Sequence, residues 1–83
     1  MYTVKEVEGQ PYTNRVRWNI ARIMQNRGMS GFRALPSISQ SGLYKLVGGG
    51  GDITVTRLAA VADDLGVSIF ELLQHPDMSA YGE

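Results

Sequence analysis

The polar run from Ser39 to Lys45 is where residue types and spacing in these 83 residues point most directly to a chemistry. Ser39, Gln40 and Ser41, then Tyr44 and Lys45, interleave with Leu43, Leu46 and Val47 so that a helix over the segment carries polar groups on one side and apolar groups on the other. The polar groups suit recognition of hydrogen-bonding edges rather than bond breaking. A glutamine amide sets a donor beside an acceptor and matches adenine N6 and N7, and a serine hydroxyl donates to or accepts from several bases. A lysine ammonium reaches guanine O6 and N7 or a phosphate, and a tyrosine packs on a thymine methyl or bonds a phosphate. Ser39, Gln40, Ser41, Tyr44 and Lys45 are therefore the candidate base contacts.

Catalysis has little footing. His75 is the sole imidazole and sits beside Pro76, there is no cysteine, and no nucleophile is paired with a base. Asp63 and Asp64 are adjacent on a helix and so diverge by about 100°, too far apart to share a metal or form a carboxylate dyad; a solvated face explains them. The four glycines at 48–51 are followed by no Lys-Ser or Lys-Thr pair, which argues against a phosphate-cradling nucleotide loop. The expectation is a protein that is not an enzyme, with no metal, no cofactor and no evident small-molecule ligand.

Formal net charge is zero, but the signs are segregated. Residues 15–45 hold Arg15, Arg17, Arg22, Arg27, Arg33 and Lys45 with no acid, a charge of +6. Residues 46–83 set Arg57 against Asp52, Asp63, Asp64, Glu71, Asp77 and Glu83, a charge of −5. A basic stretch of this kind suits the phosphate backbone of nucleic acid. Arg15, Arg17, Arg22 and Arg33 are the candidate phosphate contacts, joined by the backbone amides of Gly49 and Gly50, which lack side chains to hold a phosphate away.

Five short helices are expected to position these groups. The first spans about 14–27, with Val16, Ile20, Ile23 and Met24 as its stripe, Thr13 or Asn14 as its cap and Gly28 as its stop. Trp18 lies off that stripe, covering the edge of the core or partly exposed, with packing the favoured role. Ser30 opens a brief second helix with Phe32 and Leu35 one turn apart, ended by Pro36. Ser39 caps the third, which the glycines end. Thr54 caps the fourth, which carries Val55, Leu58, Ala59, Val61, Ala62 and Leu65 and is closed by Gly66. Ser68 and Glu71 form a capping box for the fifth, with Ile69, Leu72 and Leu73, and Pro76 ends it. Residues 1–12 read as an added strand or an arm, 13–75 as one domain and 76–83 as a tail.

From Asn19 to Leu73 the chain resembles the lambdoid-phage Cro and repressor helix-turn-helix (XRE-like) family. Val55-Thr56-Arg57-Leu58-Ala59-Ala60-Val61-Ala62-Asp63-Asp64-Leu65-Gly66-Val67-Ser68-Ile69-Phe70-Glu71-Leu72-Leu73 is similar to that family's last two helices, and Ile38-Ser39-Gln40-Ser41-Gly42-Leu43-Tyr44-Lys45-Leu46 to its turn and recognition helix. Two departures stand out: a short second helix running into Ala34-Leu35-Pro36-Ser37, and Val47-Gly48-Gly49-Gly50-Gly51 where the family carries an acid and basic residues. The resemblance implies an all-α lambda-repressor-like bundle whose third helix enters the major groove of double-stranded operator DNA. The implied protein regulates transcription, by repression since no effector domain is present, and pairs as a homodimer at least on DNA. Residues 1–12, or the fifth helix and tail, are the candidate pairing surfaces.

Length allows one modest core. The absence of cysteine suits a reducing cytoplasm, and no apolar stretch approaches the roughly 20 residues that span a bilayer. The alternative, given zero net charge and the missing loop cations, is an antitoxin-like or anti-repressor module that keeps the fold and binds protein through its acidic half.

Overall fold

Proline at a first helical position has its φ preset and lacks an N–H that would be unpaired anyway, and the first helix begins on one. The computed structural model describes residues 3–28 and 32–76, and within them the chain forms four helices and no strand: α1 Pro11–Asn26, α2 Gln40–Val47, α3 Val55–Leu65 and α4 Ile69–Leu73. The all-α bundle is as the sequence indicates. Its start is not, because α1 begins at Pro11 without a side-chain cap, and Thr13 and Asn14 lie inside the helix instead of capping it. Asn14 turns back on the N-terminal segment, accepting from Val7 N at 2.8 Å and donating to Val7 O at 2.9 Å, as a neighbouring strand would. Residues 3–10 form no strand; Lys5 N bonds Val47 O at 3.0 Å, laying this segment against the end of α2.

The expected second helix is absent from Phe32 to Leu35. Ser30, its expected cap, lies outside the described residues, as do residues 77–83 of the tail. Phe32 to Ala34 are irregular, and Leu35 and Ile38 close a tight turn around Pro36 and Ser37 through reciprocal backbone bonds of 2.9 and 3.3 Å. Proline disfavours helical φ and ψ in the residue before it, and a single turn cannot offset the cost of helix nucleation. The periodicity of Phe32 and Leu35 reported burial rather than helicity: Phe32 enters the core and Leu35 packs on it.

The remaining caps follow the sequence. Ser39, Thr54 and Ser68 each have extended backbone and accept through their hydroxyls from the amides of Gly42, Arg57 and Glu71, respectively. α2 and α3 end alike, with a left-handed glycine whose amide and that of the next residue fold back onto the last carbonyls: Gly49 and Gly50 onto Leu46 and Lys45, Gly66 and Val67 onto Asp63 and Ala62. Asp64, expected in a solvated face, instead accepts from Ser37 N at 2.8 Å and so fixes the proline turn to α3.

The core joins Val16, Ile20 and Met24 of α1 to Phe32, Leu43, Val47, Leu58, Val61, Leu65 and Leu72. Polar side chains are sealed in the interior too, Asn19 and Arg17 among them. Asn19 has no solvent exposure and donates to the carbonyls of Leu72 and Gln74, both at 2.9 Å, so that α1 satisfies the end of α4. Asn19→Ala strands those acceptors and is expected to lower unfolding free energy by about 2–3 kcal/mol in urea titration. At Gly49, φ is +88° and an added Cβ meets Lys5 and Val7 atoms at 3.3 Å. Gly49→Ala is expected to cost about 1–2 kcal/mol and to speed hydrogen exchange at the Lys5 amide.

Candidate nucleic-acid interface

α2 presents its polar side outward, with Ser39, Gln40, Ser41, Tyr44 and Lys45 exposed over buried Leu43, Leu46 and Val47. Two of the five have structural duties. Gln40 donates through Nε2 to Phe32 O at 2.7 Å, and the Tyr44 hydroxyl accepts from Phe32 N at 3.1 Å while its ring stands edge-on to that of Phe32, centroids 4.8 Å apart. One helical turn apart, these side chains clamp a single backbone unit and dock the irregular 32–38 segment on α2. Gln40 keeps its amide oxygen for a ligand, and Tyr44 keeps its hydroxyl proton. Ser39 is occupied as the cap, with Ser41 at 3.2 Å from its hydroxyl, and Lys45 has no partner among the described residues.

The expected phosphate contacts separate. Arg33 is exposed and follows the clamped Phe32, so it emerges beside the outer face of α2. Arg15 is engaged elsewhere, over the Tyr12 ring at 5.3 Å, 3.0 Å from His75 Nε2 and 3.4 Å from Leu73 O. Arg22 lies 3.4 Å from Asn19 Oδ1, with its Nε enclosed and unbonded among the described residues. The amides of Gly49 and Gly50 are already bonded to the α2 carbonyls of Leu46 and Lys45, so they do not offer a phosphate cradle.

Arg17 requires a correction, because it has no exposure at all and cannot meet a phosphate. Its Nε donates to Leu46 O and its Nη1 to Asn14 Oδ1, each at 2.7 Å, while Nη2 donates to Gln10 Oε1 at 2.8 Å and to Gly51 O. Burial lowers the pKa of the guanidinium, and the charge of Asp52 counters that shift. Asp52 in turn is held below the usual carboxylate range by the hydroxyl of Thr13, by Ile53 N and by the charge of Arg17. Charge segregation identified Arg17 as a cation; the signal that it turns inward was its spacing, since it stands one and two turns before buried Ala21 and Met24 on the same side of α1.

Arg57 was missed. It is exposed on the first turn of α3 and lines, with Lys45, Gly42, Gly50 and Asp52, a cleft of about 300 Å³ between α2 and α3. The signal was present: a cation in the first turn of a helix opposes the helix dipole, and this is the lone cation of residues 46–83. Arg33, Lys45 and Arg57 thus flank α2 without a carboxylate partner among the described residues.

No protein-family model matches the sequence, and no curated protein sequence does. A solved structure described as a hypothetical transcription factor, NHTF, from Neisseria matches the fold with a TM-score of 0.70 over 92% of this chain and 90% of that one, at 17% identity. What the two share at that identity is the fold. No helix among the described residues is long and apolar enough to cross a membrane.

Arg17→Met keeps the bulk of the stem and strands the carbonyls of Leu46 and Gly51. It is expected to lower stability by about 2–4 kcal/mol in urea. Asp52 makes stability depend on acid. Its folded pKa lies below the unfolded one, so its contribution is complete above about pH 4 and disappears as pH falls through the folded value. Thermal melts of Asp52→Asn should therefore lose part of the acid-side fall in Tm that the parent shows.

Proposed function

We propose that this protein is a sequence-specific, double-stranded-DNA-binding transcription regulator that lays α2 in the major groove. A helix fits that groove, and its first turn is the part that reaches base edges. Ser41, Lys45, the amide oxygen of Gln40 and the hydroxyl of Tyr44 read bases, with Ser39 setting the start of the helix. Arg33 and Arg57 hold flanking phosphates, and Arg15 and Arg22 reach a backbone only by leaving their present partners. The observation that carries the reading is the exposed polar face of α2, where Lys45, with Arg33 and Arg57 outside the helix, has no carboxylate partner among the described residues. The fold shared with a protein described as a hypothetical transcription factor supports it. The resemblance to phage Cro and repressor proteins adds that the regulator acts by occupying an operator, as a pair of copies on two half-sites, and so represses.

Titration of a random-sequence duplex at several salt concentrations tests the backbone contacts. Log affinity should fall linearly with log salt, and Arg33→Ala and Arg57→Ala should each make the slope shallower by about 0.9. Selection from a random duplex pool should return a two-fold symmetric site, and Ser41→Ala should relax preference at one position of each half while leaving the salt slope unchanged. No binding even at about 50 mM salt would sink the reading.

A further inference from the structure

Glu6, Pro11, Arg15, Trp18, His75 and Pro76 line a cleft of about 540 Å³ where the N-terminal segment, α1 and the residues after α4 meet. No residue of α2 lines it, so it lies apart from the proposed DNA face. Two charges of opposite sign stand in it. The Glu6 carboxylate accepts from Trp18 Nε1 at 2.9 Å through Oε2, and its other oxygen has no partner among the described residues. Arg15 Nη2 lies 3.0 Å from His75 Nε2. A guanidinium only donates, so this contact needs a neutral imidazole that accepts through Nε2 and carries its proton on Nδ1. Arg15 and Trp18 are three residues apart on α1 and therefore share one face of it. Even so, Glu6 and Arg15 form no ion pair with each other. The proposed DNA reading makes no use of Glu6, Trp18 or His75.

We propose that this cleft binds a small zwitterion with a flat apolar side chain, an aromatic α-amino acid. Arg15 takes the ligand's carboxylate and the open oxygen of Glu6 takes its ammonium, while the Trp18 indole and the rings of Pro11 and Pro76 cover its side chain. A carboxylate and a guanidinium that share a cleft without pairing are complementary to a ligand that brings both charges, and a hydrogen bond to each is charge-assisted. A ligand with one charge meets a partner on one side and its own sign on the other. The volume suits as well, since small-molecule pockets run from about 300 to 1,000 Å³ and combine apolar walls with a few placed polar groups. His75 and the carbonyl of Leu73 hold the guanidinium where the ligand meets it. Glu6 follows Lys5, whose amide bonds Val47 O, so one wall of the site is the same segment that lies against the end of α2.

Trp18 is the sole tryptophan, so its fluorescence reports on the cleft directly. Titration of the full chain with L-phenylalanine should change that emission saturably, with half-saturation at about 1 mM or below. Phenethylamine, which lacks the carboxylate, 3-phenylpropionate, which lacks the ammonium, and L-alanine, which lacks the ring, should each bind at least about tenfold more weakly. Glu6→Gln keeps an acceptor for the indole and Arg15→Gln keeps a donor, so circular dichroism should show both folded, and each should weaken L-phenylalanine about tenfold. No saturable change up to about 20 mM overturns the proposal, as does a one-charge analogue that binds as tightly as L-phenylalanine or a folded Glu6→Gln variant of parental affinity. The analogue series needs only the parent chain and so decides the matter even if a variant fails to fold. These outcomes leave the major-groove reading standing, because salt titration of duplex binding tests it separately.

Discussion

The arrangement of this small bundle depends on one buried guanidinium. Arg17 projects from the middle of α1 and reaches the last turn of α2, the glycine loop behind it and the residue that precedes α1. Taking a cation out of water is costly unless its donors are matched and its charge balanced. Here both conditions hold: four oxygen acceptors surround the fork, the carbonyl end of the α2 dipole is negative, and Asp52 stands near. Because a guanidinium is planar and its donors point in fixed directions, satisfying all of these partners together sets how α2 sits on α1. The outward face of α2 inherits that orientation.

A second constraint comes from the missing helix. Where the sequence suggests a helix before α2, residues 32–38 are an irregular segment and a proline turn, neither of which supplies its own hydrogen-bond ladder. The segment is held from outside, by Gln40 and Tyr44 on Phe32 and by Asp64 on Ser37. Polar residues of α2 are thus partly engaged in holding the segment that precedes it. The polar face of α2 is narrower than its composition suggests, and the nearby cations correspondingly more important.

The two ends of the bundle are chemically distinct. Around α2 lie hydroxyls, an amide and cations without a carboxylate partner among the described residues; around α4 lie exposed aromatic and aliphatic groups, and no charged side chain among the described residues lines the groove between them. α1 connects these ends, using Arg17 toward α2 and Asn19 toward the carbonyl end of α4. Two polar side chains on one helix therefore hold both faces in a fixed relation.

Local chemistry alone determined much of this. The serine and threonine caps, the left-handed glycine at the end of α3, the glycine break after α2 and the apolar stripes were legible in the sequence because each depends on residues within a turn of one another. The all-α class and the polar face at Ser39–Lys45 followed. Spacing points Arg17 inward, but the sequence could not show which partners the polar residues find. Arg15, Arg17, Arg22 and Arg33 are alike in type, yet one is sealed in the interior, two are tied to neighbours and one is free, according to which carbonyls the fold brings near. The same holds for Val55, which keeps the spacing of a core residue and is left bare, and for Phe32, whose spacing suggested a helix that Pro36 prevents. Capping and periodicity are short-range and can be read along the chain; the partners of a long side chain depend on groups tens of residues away, and only the tertiary structure decides them.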